Sequence, residues 1–354
     1  MTTFRNADFH LNTPGTLIAA LPAVLGFVPE KSLVLITFDG GEMGCVMRID
    51  LIDDVFDAVG HMAEVAATAS PDAAIAVIVD EDAATCRMCK DEHRLLADDL
   101  GDALSGWGID LLGVHVVDRV AAGGRWHCAD GRDCSGTVED PTASPMAAAA
   151  VLGGRRLYSR RADLQAVIAV ADPVRTAGLC GAIKAAIAAA TSSDPDQRPD
   201  AEARADVEHA MVVATGAVEG QCPSDADLGR LAYALTDPRV RDTLYALAVG
   251  RDAASAESLW VLLARTLPEP WRAEALVLLA FSAYARGDGP LAGVSLEAAL
   301  RCDPRHRMAG MLDKALQSGM RPEQIRELGL TGYRLAKQLG VKLPPRQSFG
   351  RRAG

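Results

Sequence analysis

The chain has no apolar run approaching the roughly 18 residues that a membrane-spanning helix needs, and its opening, MTTFRNADFHLNTPG, lacks the basic-then-apolar order of a secretory signal. The expectation is a soluble, cytoplasmic protein with no membrane partner. Positive charge is also short: 36 Lys and Arg face 47 Asp and Glu, a net charge of −11. Such an excess repels a phosphate backbone unless basic side chains are segregated, so nucleic acid is not the default partner. No G-x-x-x-x-G-K-[ST] occurs and no G-x-G-x-x-G follows a strand, so the common phosphate cradles, and with them a nucleotide cofactor, are missing. The absence of a G-x-S-x-G elbow and of an H-E-x-x-H helix disfavours a serine hydrolase and a zinc protease. Eight cysteines in 354 residues make no disulfide framework, and without an export signal they are expected to stay reduced.

What is present points to two domains, since 354 residues exceed one ordinary core and 49% of them are apolar. Thr13 caps a first helix with Pro14 at its first position; Gly26 and Pro29 supply the stop, and Pro22 bends the helix or ends it early. SLVLITF and MGCVMRID flank Asp39-Gly40-Gly41, a hairpin signal. Val55, Val59, Met62 and Ala66 then repeat at helical spacing, and AAIAVIVD, apolar at both parities, suits a strand covered on two faces. A helix over residues 87–106, the strand LLGVHVVD and a further strand complete an α/β domain over residues 10–160, a mixed sheet with helices packed on it.

Beyond the loop ADGRDCSGTVEDPTASP the pattern is helical, with a helical connector and linker over residues 161–205 and an all-α domain over 206–340. TSSDPDQRPDAEARAD has the composition of a linker. WRAEALVLLAFSAYARGDGPLAGVSLEAALRCDP, residues 271–304, resembles a tetratricopeptide-type helical hairpin, with small residues Ala280, Ala283, Ala292 and Ala299, the knob Leu296 and the closing Pro304. Pro270, Ala246 and Leu262 fall in phase with Pro304, Ala280 and Leu296. Such hairpins form either a partner groove or a helical core. The last residues, 341–354, read as a disordered basic tail. LGLTGYRLAKQLGVKLPP is similar to the first half of a phage-repressor helix-turn-helix, but Pro344-Pro345 stand where its reading helix would begin. Nucleic acid therefore enters only through the basic stretch 334–352.

The most chemically pointed stretch is CRMCKDEH. On a helix starting near Asp82 or Thr85, Cys86, Cys89 and His93 share one face. Two thiolates and an imidazole suit Zn2+, which needs a fourth ligand. A hairpin turning at 121–124 sets Cys128 beside Val117 at the matching sheet level, which nominates Cys128 or His127 ahead of Cys134. The competing readings are packing thiols, an exposed His93 in the charged run KDEHR, and a Cys-x-x-Cys redox pair lacking thioredoxin context. Acids cluster at the same edge: Asp80, Glu81 and Asp82 after one strand and Asp118 after another, where open α/β sheets bind ligands. Asp80, Asp82 and Asp118 are the candidate acid–base residues, with helix and loop capping as the plain alternative. His115 inside LLGVHVVD reads as an interior histidine.

LIAALPAVLGFVPEKSLVLITFDGG, GGRWHCADGRDCSG, DPTASPMAAAAVLGGRRLYSRRADL and LLAFSAYARGDGPLAGVSLEAALRCDP together resemble the actinobacterial family called domain of unknown function 4192. The motif GF-x-PE-x-SLV is matched by Gly26, Phe27, Pro29, Glu30, Ser32, Leu33 and Val34. The resemblance implies an intracellular protein of a high-GC Gram-positive bacterium and assigns no activity. The sequence thus leads to an interaction or scaffold protein with a stabilising zinc site and another protein as partner. A metal-dependent hydrolytic enzyme at the sheet edge is the alternative, and nucleic-acid attachment through the tail is the third possibility.

Overall fold

A computed structural model of the chain describes residues 4–6, 9–11, 13–51, 55–84, 87–192, 194 and 197–347. It divides into two compact units, Met1–Leu164 with Ala315–Gly319, and Gln165–Lys314 with Met320–Gly354.

The first unit is built on an eight-stranded mixed sheet of order β2-β1-β4-β3-β5-β6-β7-β8. The strands are β1 Phe4–Asn6, β2 Phe9–Leu11, β3 Ser32–Asp39, β4 Glu42–Asp50, β5 Ala73–Val79, β6 Asp110–Val117, β7 Arg125–Cys128 and β8 Ser135–Thr137. The helices are α1 Pro14–Leu25, α2 Val55–Ala67, α3 Arg87–Ser105 and α4 Pro145–Leu152. The hairpin β3–β4 turns at Gly40 and Gly41, both at positive φ (58° and 85°), the backbone its tight turn requires. β5 lies between β3, antiparallel, and β6, parallel, and every one of its residues is buried, as its unbroken apolar run requires. One parity of the central strands, Leu33, Leu35, Ala76, Ile78, Val114 and Val116, packs against Val59 and Met62 of α2 and Leu96, Leu100 and Leu104 of α3. The other parity, including Val34, Ile36, Ile75 and Val77, is equally buried.

The short helix α5 Arg161–Gln165 ends the first unit. The second unit is helical: α6 Pro173–Ala189, α7 Asp200–Val218, α8 Asp225–Ala234 and α9 Pro238–Leu244 are followed by α10 Ala253–Thr266, α11 Arg272–Arg286, α12 Gly289–Cys302, α13 Arg307–Gln317, whose last residues fall in the first unit, and α14 Pro322–Leu339. The tetratricopeptide-like segment forms the hairpin α11–α12, closed by Gly287 at φ 88° and by Asp288, which accepts from Leu291 N at 3.1 Å. Its Ala280, Ala283, Ala292, Ala299 and Leu296 are all buried, and α11 is enclosed along nearly its whole length. The hairpin is core. One period earlier the likeness weakens, because Ala246 sits in a 3-10 segment, Tyr245–Val249.

Several sequence expectations change. α1 runs on through Pro22 to the left-handed Gly26 (φ 75°). The loop after β7 holds a further strand, β8. Half of the linker-like stretch is α7. Residues 341–347 of the stretch read as a disordered tail are held by hydrogen bonds: Tyr333 Oη donates to Pro344 O at 2.9 Å, Arg251 N to Pro345 O at 2.9 Å and Gln347 N to Val249 O at 3.0 Å. After Gly340 (φ 74°) no second helix follows among the described residues. Arg346 stacks on Tyr333 at 5.1 Å. Arg351 and Arg352 lie outside the described residues. Among the described residues no helix is long and apolar enough to cross a membrane.

Candidate functional site

Where β5 ends at Val79 the chain leaves the sheet through Asp80, whose N–H still donates to Val117 O at 2.9 Å. Register places Ser32 of β3 opposite Val79, so the residue before β3, Lys31, arrives beside Asp80. Lys31 Nζ donates to Asp80 Oδ1 at 2.5 Å and to Asp82 Oδ2 at 2.7 Å. Lys31 does so from a positive φ of 40°, a region costly for a residue with a Cβ. α3 then returns over the strand end, and its second turn lays His93 Nε2 3.1 Å from Asp80 Oδ2. Asp80 and His93 are each 6% exposed.

The electrostatics follow from that enclosure. Burial pushes the Asp80 carboxyl up, but the Lys31 ammonium and the Asp82 N–H outweigh it and hold the group below the usual carboxylate range. Lys31 is held protonated chiefly by its hydrogen bond to Asp80, which removes it as a nucleophile. Burial lowers His93 despite the neighbouring carboxylate. A neutral His93 donates from Nε2 to Asp80 and leaves Nδ1 as a lone pair, and that atom is buried without a hydrogen-bond partner.

The nominated residues are therefore only partly brought together. His93 is interior, against the competing reading of an exposed imidazole in KDEHR, and it lies beside Asp80 beneath the strand end. Cys89 precedes it by one helical turn and is half-buried; Cys86 lies outside the described residues. Cys128 and its alternate Cys134 are joined in a disulfide, which takes both out of the nominated zinc set and departs, for that pair, from the expectation of reduced thiols; Cys45, Cys89, Cys180, Cys222 and Cys302 form no disulfide. A thiol consumed in an S–S bond has no thiolate to offer a metal. The sheet level was also misjudged. Cys128 pairs with His115, and Trp126 takes the place opposite Val117, because the β6–β7 turn is wider than a tight hairpin and closes with Asp118 N donating to Arg125 O at 3.1 Å. His127 is half-buried, and burial above all holds its imidazole below the usual range. Among the described residues no three His, Cys, Asp or Glu gather closely enough to hold a metal ion.

The carboxylates have structural duties. Asp80 accepts from Asp82 N at 3.2 Å, capping the 3-10 turn Glu81–Ala84. Asp118 accepts from Arg125 N at 2.8 Å and pairs with Arg119 at 3.2 Å, which fixes the β6–β7 turn. Asp82 shares Lys31 with Asp80. His115 is interior, edge-on to Trp126 at a ring separation of 5.5 Å.

Sequence reading missed Lys31, which sits at an open position of GF-x-PE-x-SLV, and it missed a second charged cluster inside the supposed linker. Arg198, with its side chain 3% exposed, bonds Asp206, Asp237 (3.3 Å) and Glu202 (3.4 Å) and stacks on Tyr233 at 4.9 Å. Arg239 shares Asp237 at 2.8 Å, and Arg230 shares Asp206 at 2.8 Å. The one available signal was the alternation of Arg with acids in DQRPDAEARAD, which solvated linkers share.

Compared with known proteins, the chain matches one family model, the domain of unknown function DUF4192, over residues 14–323. No curated protein matches it, and no solved structure does.

Proposed function

The chain belongs to the DUF4192 family, and from that premise we propose that it is an interaction protein whose partner surface lies on α6. The observation that carries this reading is the mismatch between the composition of α6 and its burial. The helix reads PVRTAGLCGAIKAAIAA, apolar apart from Arg175, Thr176 and Lys184, yet only Leu179 and Ile183 are buried. Val174 is 83% exposed. A helix apolar all round belongs inside a core or against a partner. The hairpin α11–α12 is a poorer candidate surface because its small residues are already used in packing. The partner that fits α6 is an apolar helix of another protein, since alanine and glycine permit close backbone approach. Pull-down from the native cell extract with wild-type protein, Val174→Glu and Ala188→Glu tests the reading. A partner retained by the wild type and lost from both variants supports it; identical captured sets overturn it.

The sheet-edge cluster fits a stabilising centre better than a catalytic one. Its carboxylates are engaged by Lys31, by a cap and by a turn, and the Asp80–His93 pair is closed to solvent, whereas a catalytic site keeps an open position. Zinc remains the proposed occupant. A carboxylate holding Nε2 while Nδ1 stays bare is the arrangement that supports a metal-bound imidazole. Cys86, which lies outside the described residues, is the companion that the shared helical face nominates, since the described donors alone bring no three together. Elemental analysis of reduced protein purified without added metal checks this. About one zinc per chain that His93→Ala removes is expected, and a value near zero ends the zinc reading.

A further inference from the structure

Against the inner side of α6 the helical unit holds a cavity of about 540 Å³. One wall is the methyl groups of Ala182, Ala185, Ala186 and Ala189 on α6; the other carries Arg198, Glu202, Asp206 and Arg230 from the α7 and α8 side. Its size and its pairing of an apolar wall with a few convergent polar groups are those of a small-molecule site. α6 and α8 frame it at a fixed distance because Gly229 lets them touch: a Cβ there would lie 2.7 Å from the Ala182 carbonyl carbon. Tyr233 Oη, donating to Ser192 O at 2.5 Å, ties down the chain leaving α6.

The two lining cations are not equally compensated. Arg198 is served by Asp206, Asp237 and Glu202. Among the described residues Arg230 hydrogen-bonds only the second oxygen of Asp206, at 2.8 Å, and the carbonyl of Ala205, at 3.1 Å, with the Asp227 carboxylate near enough to feel its charge. Its Nη1 makes no hydrogen bond to the described residues, and its side chain is 43% exposed. Both oxygens of Asp206 are taken, and Glu202 is occupied by Thr191 and Arg198, so the carboxylates of the wall have little left for a cationic guest.

We propose that this cavity binds a monocarboxylate with an unbranched aliphatic body, the chain lying on the alanine wall and the carboxylate completing the guanidinium of Arg230. This deepens the reading of α6 as a binding element: one side of the helix takes the ligand, and the outer side takes the protein partner. Charge-assisted bonds from Arg to carboxylate give the head its preference, and burial of the chain supplies most of the affinity.

The test is calorimetric titration of the full chain with sodium decanoate, and with decyltrimethylammonium as the cationic counterpart, both below their micellar concentrations. Decanoate is expected to bind at least tenfold tighter than the ammonium. Arg230→Gln should weaken decanoate about tenfold and leave the ammonium unchanged. Ala186→Leu, which fills the cavity, should abolish decanoate binding, and Ala189→Leu at a more exposed position gives the same readout if the first variant loses helicity. No decanoate binding by the wild type, undiminished binding by a folded cavity-filled variant, or preference for the ammonium overturns the proposal. Partner capture that still depends on Val174 in that event leaves the α6 reading standing, so the two fail separately.

Discussion

His115 shows how one buried side chain makes this fold sensitive to acid. Burial, with Asp130 raising and Arg132 lowering it further, holds its imidazole down to about 4, against about 6.5 for an exposed histidine. Because the folded value is the lower one, the unfolded chain takes up a proton that the folded chain refuses. Stability is therefore complete above the unfolded value and declines as pH falls from about 6.5 toward 4, by on the order of 3 kcal/mol. Urea denaturation at pH 7 and pH 4.5 should show the loss in the wild type and a smaller one in His115→Leu, where no such proton exists. Equal losses would mean that other groups set the acid response. The edge cluster illustrates what single residues reveal in advance. Asp80 and Asp82 were legible because strand ends in α/β sheets collect ligating or capping acids, and His93 because it shares a helical face with Cys89. Lys31 was not legible: its ion pair with Asp80 joins residues 49 apart and exists only once β3 and β5 are in register. The orphaned Nδ1 of His93 is likewise a property of what surrounds it.

At the scale of elements, periodicity and turn chemistry were reliable where a helix or strand buries one regular face. The β3–β4 hairpin, α2 with Val55, Val59, Met62 and Ala66 buried, and β5 buried throughout all follow from spacing alone. Elements whose contacts come from afar were not legible. Residues 191–206 carry the polar composition of a linker, yet Arg198 bonds Asp237 39 residues away and anchors the start of α7. Composition cannot separate a solvated acid from one that neutralises a buried arginine. The same limit hid the contact of α6 with α8, which turns on the missing side chain of Gly229. Gly229→Val should force those helices apart, with a cost of about 1–3 kcal/mol in unfolding free energy and loss of the cavity. Chemical denaturation measures the first; decanoate titration measures the second. A neutral effect would show that α8 can shift without penalty.

For the whole molecule, two cores imply two cooperative transitions, one for the sheet unit and one for the helical unit. The C-terminal segment belongs to the second: Val341 is 7% exposed, and the backbone of 344–347 bonds to Tyr333 and to residues 249–251. Deletion after Gly340 should lower the helical transition in scanning calorimetry, by about 2 kcal/mol in stability from the lost apolar contact, and leave the sheet transition in place. A truncated chain that melts like the full one would show that the segment is not part of the core. The sequence by itself determined the division into an α/β part and a helical part, the hairpin, the helix stops and the run of buried strands, because these depend on residues within one or two turns of each other. Tertiary structure alone decided that Cys128 joins Cys134, that Lys31 and His93 close over Asp80, that the tetratricopeptide-like hairpin is core, and that α6 is left apolar and exposed beside a charged cavity. Most of those outcomes rest on distances between residues far apart in the chain, which come into being only when the register of strands and the crossing of helices are set; the Cys128–Cys134 bond spans six residues, but it too depends on how β7 and β8 pair.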